Sequence, residues 1–172
     1  MSQCSKLAVY PGTFDPPTNG HMDVARRALA IFDGLVIGVS TNLAKKPVFD
    51  VQERVSLLRE LFSDEPRIVV KSFDGLLMNF VKSEGAISVV RGLRAVSDFE
   101  YELQMATFNS ILERSIGTVF FMASEENIFV SSSVIKEISK FGGDISTKVH
   151  PAVLQALREK FGLDRRVKQG ER

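Results

Sequence analysis

The chain has 172 residues, 44% of them hydrophobic and 25% charged, with a formal net charge of +1. These values fit one globular domain and exclude the global basic field expected of a nucleic-acid-binding surface. A single cysteine, Cys4, excludes an internal disulfide, no apolar run approaches the roughly 18–20 residues of a membrane span, and the N-terminus lacks a charged start followed by an apolar core, so a cytoplasmic protein with no membrane partner is expected.

Leu7 to Tyr10 is a short apolar run that predicts a buried strand. A Gly/Pro-rich turn follows, Pro11-Gly12-Thr13-Phe14-Asp15-Pro16-Pro17-Thr18-Asn19-Gly20, and leads into a helix with Met22, Ala25, Leu29 and Phe32 at helical spacing. His21 stands in the first turn of that helix. Leu35 to Val39 predicts a second strand. Val51 to Phe62 carries Val51, Val55, Leu58 and Phe62 on one face, with Asp50 as N-cap and Glu53 as its capping-box partner. Arg67 to Val70 predicts a third strand, and Asp74 caps a helix with Leu76, Leu77, Phe80 and Val81. Ile87 to Val90 is the fourth strand. Ser97 and Glu100 form a capping box for a long helix ending near Leu112, and Thr118 to Met122 is the fifth strand. Ser131 to Ser133 open a helix with Val134, Ile135 and Ile138 inward. Pro151 fits the first position of a last helix holding Val153, Leu154, Leu157 and Phe161.

Strand–helix alternation with near-continuous apolar strands predicts an α/β fold: a doubly wound, five-stranded parallel sheet with helices on both faces. Residues 1–161 form one domain without internal repeat or linker, and 162–172 form a polar tail, expected to be a solvated end.

In an open α/β sheet, ligands bind beyond the carboxyl ends of the strands, and helix starts favour phosphate. Four strand ends carry donors or cations here: Gly12 to Phe14 with Thr18 to His21; Thr41, Asn42, Lys45 and Lys46; Arg91-Gly92-Leu93-Arg94; and Asn127 with Ser131-Ser132-Ser133. Each group has a second reading. Pro11 and Gly12 also suit a simple tight turn, and His21 suits a helix start. Lys45 and Lys46 also suit a solvated loop. Arg91 and Arg94 either form a phosphate fork or pair with Asp98, Glu100 or Glu102. The serines either cap a helix or offer hydroxyls and N–H groups to a phosphate. Convergence of these groups on one rim favours phosphate chemistry. The phosphate-loop, dinucleotide-binding and nucleophile-elbow motifs are absent from the sequence. With His21 and His150 the only histidines, a zinc site is not expected.

Thr18-Asn19-Gly20-His21 is similar to the Thr/His-x-Gly-His signature of the adenylyl- and cytidylyltransferase superfamily, with its Rossmann-like fold. Ser131 to Lys136 resembles that superfamily's second signature. Tyr10 to His21, Lys45 to Pro47, and Arg91 to Glu102 (Arg-Gly-Leu-Arg followed by an acidic stretch) together resemble the bacterial phosphopantetheine adenylyltransferases over about residues 7 to 161. The resemblance implies magnesium-dependent transfer of AMP from ATP to 4'-phosphopantetheine, giving dephospho-coenzyme A and pyrophosphate. It implies ATP contacts from Thr13, Phe14, His21, Gly92, Leu93, Arg94, Glu102, Asn127, Ile128, Phe129, Val130, Ser131, Ser132 and Ser133. Thr13, Lys45, Leu77 and Arg91 would hold phosphopantetheine, with His21, Lys45 and Arg91 catalytic. It further implies a homohexamer and feedback binding of coenzyme A. No carboxylate cluster identifies magnesium ligands. The second signature ends in Lys136 rather than arginine, which would offer a phosphate a point charge instead of a fork.

No nucleophile paired with a base is visible, so direct in-line attack is the expected chemistry. The alternatives are a nucleotidyltransferase for nicotinamide mononucleotide or glycerol 3-phosphate, which would lack the Arg91 to Glu102 block, and a non-catalytic nucleotide-binding module.

Overall fold

The computed structural model describes residues 6–41 and 47–163. Cys4, Asn42, Lys45, Lys46 and the tail from residue 164 lie outside the described residues.

Five parallel strands form one sheet: β1 (Leu7–Gly12), β2 (Gly34–Ser40), β3 (Ile68–Phe73), β4 (Ser88–Leu93) and β5 (Gly117–Met122). Their spatial order is β3-β2-β1-β4-β5. The chain therefore winds outward from β1 to β3, then returns to the other side of β1 for β4 and β5. This reversal between β1 and β4 is the topological switch point, where doubly wound sheets open a crevice.

Alternation along each strand divides the core into two layers. Ala8 and Tyr10 of β1 and Leu35, Ile37 and Val39 of β2 pack on one face, in the larger cluster. α1 (Asn19–Ala28), α2 (Val51–Leu61), α5 (Ser132–Lys140) and α6 (Pro151–Phe161) cover it through Ala25, Leu58, Ile135, Val153 and Leu157. Val9, Val36 and Val89 face the other way, onto Met78 and Val81 of α3 (Leu77–Ser83). The expected two-faced architecture is present.

Local signals set most helix starts. Asp50 accepts from the Glu53 N–H at 2.9 Å while Glu53 accepts from the Asp50 N–H at 2.7 Å, the expected capping box. Pro151 occupies the first turn of α6, and Gly162 ends that helix in the left-handed region at φ 65°. Two expected caps fail. Asp74 does not cap α3, whose N-cap is Leu76. Gly75, at φ 78°, sets a turn between them, and the Asp74 carboxylate instead accepts from the Thr41 hydroxyl and the Gly75 N–H, both at 2.9 Å. α4 (Val96–Leu112) has Ala95 as its N-cap, so Ser97 falls inside the first turn.

Two inward assignments also fail. Ile135 of α5 is buried, but Val134 and Ile138 are 43% and 40% exposed. They flank the face that Ile135 and Ser139 turn to the core, and nothing in the described chain covers that flank. α4 departs further: Phe99, Leu103, Phe108, Ile111 and Leu112 are exposed, whereas Glu102 is buried. Strands β1, β2 and β4 also run one to three residues beyond their apolar cores, carrying Gly12, Ser40 and Arg91-Gly92-Leu93 as paired strand residues at the rim.

Candidate active site

A cleft of about 700 Å³ opens beyond the carboxyl ends of β1 and β4. Thr13, Phe14 and His21 line it from the first turn, Arg91, Gly92, Leu93 and Arg94 from β4 and its exit, and Glu102 from α4. Asn127, Val130, Ser131, Ser132 and Ser133 close the remaining side. The structure thus brings together most of the residues singled out in the sequence. Phe129 is 89% exposed, and neither it nor Ile128 lines the cleft. Leu77 opens α3 and packs against the second core layer instead. Lys45 lies outside the described residues.

The first turn builds a donor from a helix cap. Thr18 is the N-cap of α1, and its N–H donates to Nδ1 of His21 at 2.9 Å. His21 thus reaches back to the cap as the glutamate of a capping box would. Because Nδ1 accepts, the neutral ring carries its proton on Nε2. Burial, reinforced by the charges of Arg94 and Arg91, lowers the His21 pKa from 6.5 to about 4. At neutral pH the imidazole is uncharged: a fixed N–H donor on Nε2, with its only other nitrogen already engaged.

Phe14 supports this ring. It stacks edge-on against His21 at 5.1 Å between centroids and against Tyr10 at 5.4 Å. Its backbone is left-handed, at φ 51°, a conformation that costs a non-glycine residue energy and needs support from its surroundings. A Cβ at Gly12 would stand 2.8 Å from the Phe14 ring, so the exit of β1 requires glycine there.

The arginines take the pairing alternative, with acidic partners on α4. Arg91 donates from Nε to Glu102 at 2.7 Å and from Nη2 to the other Glu102 oxygen, and its Nη1 donates to the Pro11 carbonyl at 3.0 Å. These contacts use three of the five N–H donors of a guanidinium, so two remain for a ligand. Burial works against the Arg91 charge, but the Glu102 carboxylate more than offsets it, and the pKa is raised. Arg94 pairs with Asp98 at 3.0 Å, and Glu100 is exposed. Arg91 sits two residues beyond Val89, on the sheet face where α4 presents Glu102.

The serine run takes the capping alternative. Ser131 caps α5 by accepting from the Val134 N–H at 3.2 Å, while the Ser132 hydroxyl donates to the Pro16 carbonyl at 2.8 Å and ties α5 to the first turn. Lys136 extends this tie. Its Nζ bonds Asp15 at 2.6 Å, so it is held by a buried carboxylate at the edge of the cleft.

Sequence reasoning missed Asp15 and Arg54, both of which line the cleft. Arg54 had a signal: it is a charge on the apolar stripe of α2, one residue before Val55 and four before Leu58. Three carboxylates line the cleft, Asp15, Asp98 and Glu102, and each already has a cationic partner. Among the described residues no group of three or more Asp, Glu, His or Cys side chains could hold a metal ion. This donor set suits a cation carried mainly by phosphates and water, which is the habit of magnesium.

The comparisons agree with this geometry. A family model for cytidylyltransferase-like proteins matches residues 9–138. The phosphopantetheine adenylyltransferase of Thermodesulfovibrio yellowstonii is 54% identical over 158 residues, covering 91% of this chain and 98% of that protein. That of Thiobacillus denitrificans is 51% identical over 154 residues, covering 90% and 96%. Among solved structures, one from Vibrio parahaemolyticus, assigned provisionally as a nicotinate-nucleotide adenylyltransferase, superposes with a TM-score of 0.63 at 20% identity over 91% of this chain and 94% of that one. The last likeness shows the shared fold, while the two high-identity matches span nearly the whole length of their proteins. With the donor turn, the arginine pair and the capped serine run on one rim, the chain belongs to the phosphopantetheine adenylyltransferase family of the cytidylyltransferase-like proteins.

Proposed function

We propose that this protein transfers AMP from ATP to 4'-phosphopantetheine, releasing pyrophosphate and dephospho-coenzyme A. The observation that carries the reading is one cleft, at the sheet's switch point, in which a neutral histidine donor faces two arginines and a helix start. The phosphate of phosphopantetheine attacks the α-phosphorus of ATP in line. A new P–O bond forms as the bond to the pyrophosphate oxygen breaks. His21 is not the base: its Nδ1 is occupied by Thr18, and the attacking phosphate is already an anion. Its Nε2–H stabilises charge on the transferring phosphoryl group. The free donors of Arg91, together with Lys45, offset the repulsion between the two anionic substrates, and Arg94 and the start of α5 hold the nucleotide side. Thr13, Phe14, Gly92, Leu93, Glu102, Asn127 and Val130 to Ser133 complete the ATP site, with Ile128 and Phe129 on the same segment outside the cleft wall, and Thr13 joins Lys45 and Arg91 on phosphopantetheine, with Leu77 at the start of α3 reached only by a substrate that extends beyond the cleft.

Magnesium is proposed as the cofactor. Bound to the triphosphate, it supplies charge neutralisation, with ATP phosphates and water as most of its ligands. The exposed apolar side of α4, with Phe108, Ile111 and Leu112 63%, 68% and 57% exposed, supports burial against further copies of this chain and hence a homohexamer. Coenzyme A shares the pantetheine and adenylate groups of the product, so it is proposed to bind the same cleft as a feedback ligand. No helix among the described residues is long and apolar enough to cross a membrane, and the reaction is proposed to be cytoplasmic.

The test is pyrophosphate release from ATP and magnesium, with 4'-phosphopantetheine, nicotinamide mononucleotide or glycerol 3-phosphate as acceptor. Release dependent on phosphopantetheine is expected. Release only with another acceptor, or with none, refutes the reading.

A further inference from the structure

The inward stripe of α2 is apolar at Val55, Leu58 and Leu61, yet the position one turn before Leu58 is Arg54, only 1% exposed. Packing alone does not require a charge there, since an apolar side chain of similar volume often serves a buried site as well or better. The guanidinium spends its hydrogen bonds on backbone carbonyls. Nε donates to Phe49 at 3.1 Å and Asp50 at 3.2 Å, and Nη1 donates to Thr13 at 2.7 Å and Ser40 at 3.0 Å. These acceptors belong to three segments that meet beneath the cleft: the exit of β1, the last residue of β2 and the entry to α2. Asp15 reinforces the junction by accepting from the N–H groups of Val48 at 3.1 Å and Phe49 at 2.9 Å. Both ends of the β2–α2 connection are thereby fixed to the first turn, and Thr13 and Ser40 line the cleft.

We propose that Arg54 is a positioning residue for the acceptor half of the site, holding the wall that contains Thr13 and Ser40 in register with the rest of the cleft. The inference rests on the reading of the cleft as a site of AMP transfer to phosphopantetheine. Apart from Thr13, which both substrates share, the nucleotide half is built separately: His21 is held by Thr18, Arg94 by Asp98, and Ser131 caps α5, none of them through Arg54. Loss of the carbonyl clamp therefore affects the two substrates unequally.

The test uses Arg54→Lys, which keeps the charge without the planar fork, and Arg54→Met, which keeps an apolar stem of similar length. ATP affinity is measured by calorimetry, and KM for each substrate by pyrophosphate release. In a folded variant, KM for phosphopantetheine rises about ten-fold or more, the scale of a sub-ångström misplacement, while ATP affinity stays within about two-fold, with Met more affected than Lys. An unchanged phosphopantetheine KM, an equal shift for both substrates, or failure of both variants to fold overturns the inference, the last by reducing Arg54 to a stability residue. Wild type is assayed in parallel. Its failure to release pyrophosphate with phosphopantetheine refutes the functional reading itself, whereas an active wild type with unaffected variants refutes only the role of Arg54.

Discussion

The neutral His21 makes stability depend on pH in a calculable way. Burial first, then Arg94 and Arg91, lower its pKa from 6.5 to about 4 in the folded chain. Between these values the unfolded chain binds the proton and the folded chain does not. Stability therefore rises with pH through this window, and is lost as pH falls from about 6.5 toward 4. Moving from pH 7 to pH 5 removes about 2 kcal/mol through this residue alone. Other groups titrate over the same range, so the measurement is a comparison. Wild type and His21→Ala are unfolded in urea at pH 7 and pH 5, ligand-free and at one protein concentration. Alanine also removes the acceptor for the Thr18 N–H, which lowers stability at both pH values by about 1 kcal/mol and cancels in the difference. The expected result is that wild type loses about 2 kcal/mol more than the variant on acidification. Equal losses would show that His21 accepts a proton freely in the folded state, and would refute the desolvated, neutral ring.

The same substitution should lower kcat by roughly 10²–10³ with a smaller effect on ATP binding, as removal of a preorganised donor does; a change confined to KM would exclude the transition-state role. Arg91→Ala should raise KM for phosphopantetheine and leave the buried Glu102 without its guanidinium, at a stability cost of about 2–3 kcal/mol. A double-mutant cycle with Glu102→Gln checks this, and additive effects would deny the pairing. Gly38→Ala places a Cβ 2.8 Å from the Phe80 ring, which stacks on Phe73 at 4.6 Å. Thermal unfolding should show a loss of about 1–3 kcal/mol from overpacking, and an unchanged midpoint would mean that the stacked rings yield freely.

Departures from the sequence reading cluster where a side chain had more than one neighbour to choose. Arg91 could be matched on sequence to Asp98, Glu100 or Glu102, all within reach along the chain. The sheet face settles the matter, because Arg91 points to the side on which α4 turns Glu102 inward. Asp74 has the composition of a helix cap, but Thr41, at the end of the neighbouring strand, competes for its carboxylate. Val134 and Ile138 have the spacing of core residues, yet no described part of the core covers them. In each case the sequence supplied a residue of the right chemistry, and the packing of separate elements decided whether and where it found a partner.

The amino-acid order by itself determined the five strands, the Asp50–Glu53 box, the helix start at Pro151 and the donor turn ending in His21. All of these depend on periodicities and hydrogen bonds that close within a few residues. Only the tertiary structure decided that β4 lies beside β1, and therefore that Arg91 and His21 share a cleft. It also decided that Arg54, an ordinary charge on a helical stripe, is buried among the carbonyls of Thr13, Ser40, Phe49 and Asp50. The reason is physical: once β1 and β2 end side by side, carbonyls beyond the last ladder bonds are shut away from water, and a buried acceptor needs a donor from whichever element packs over it.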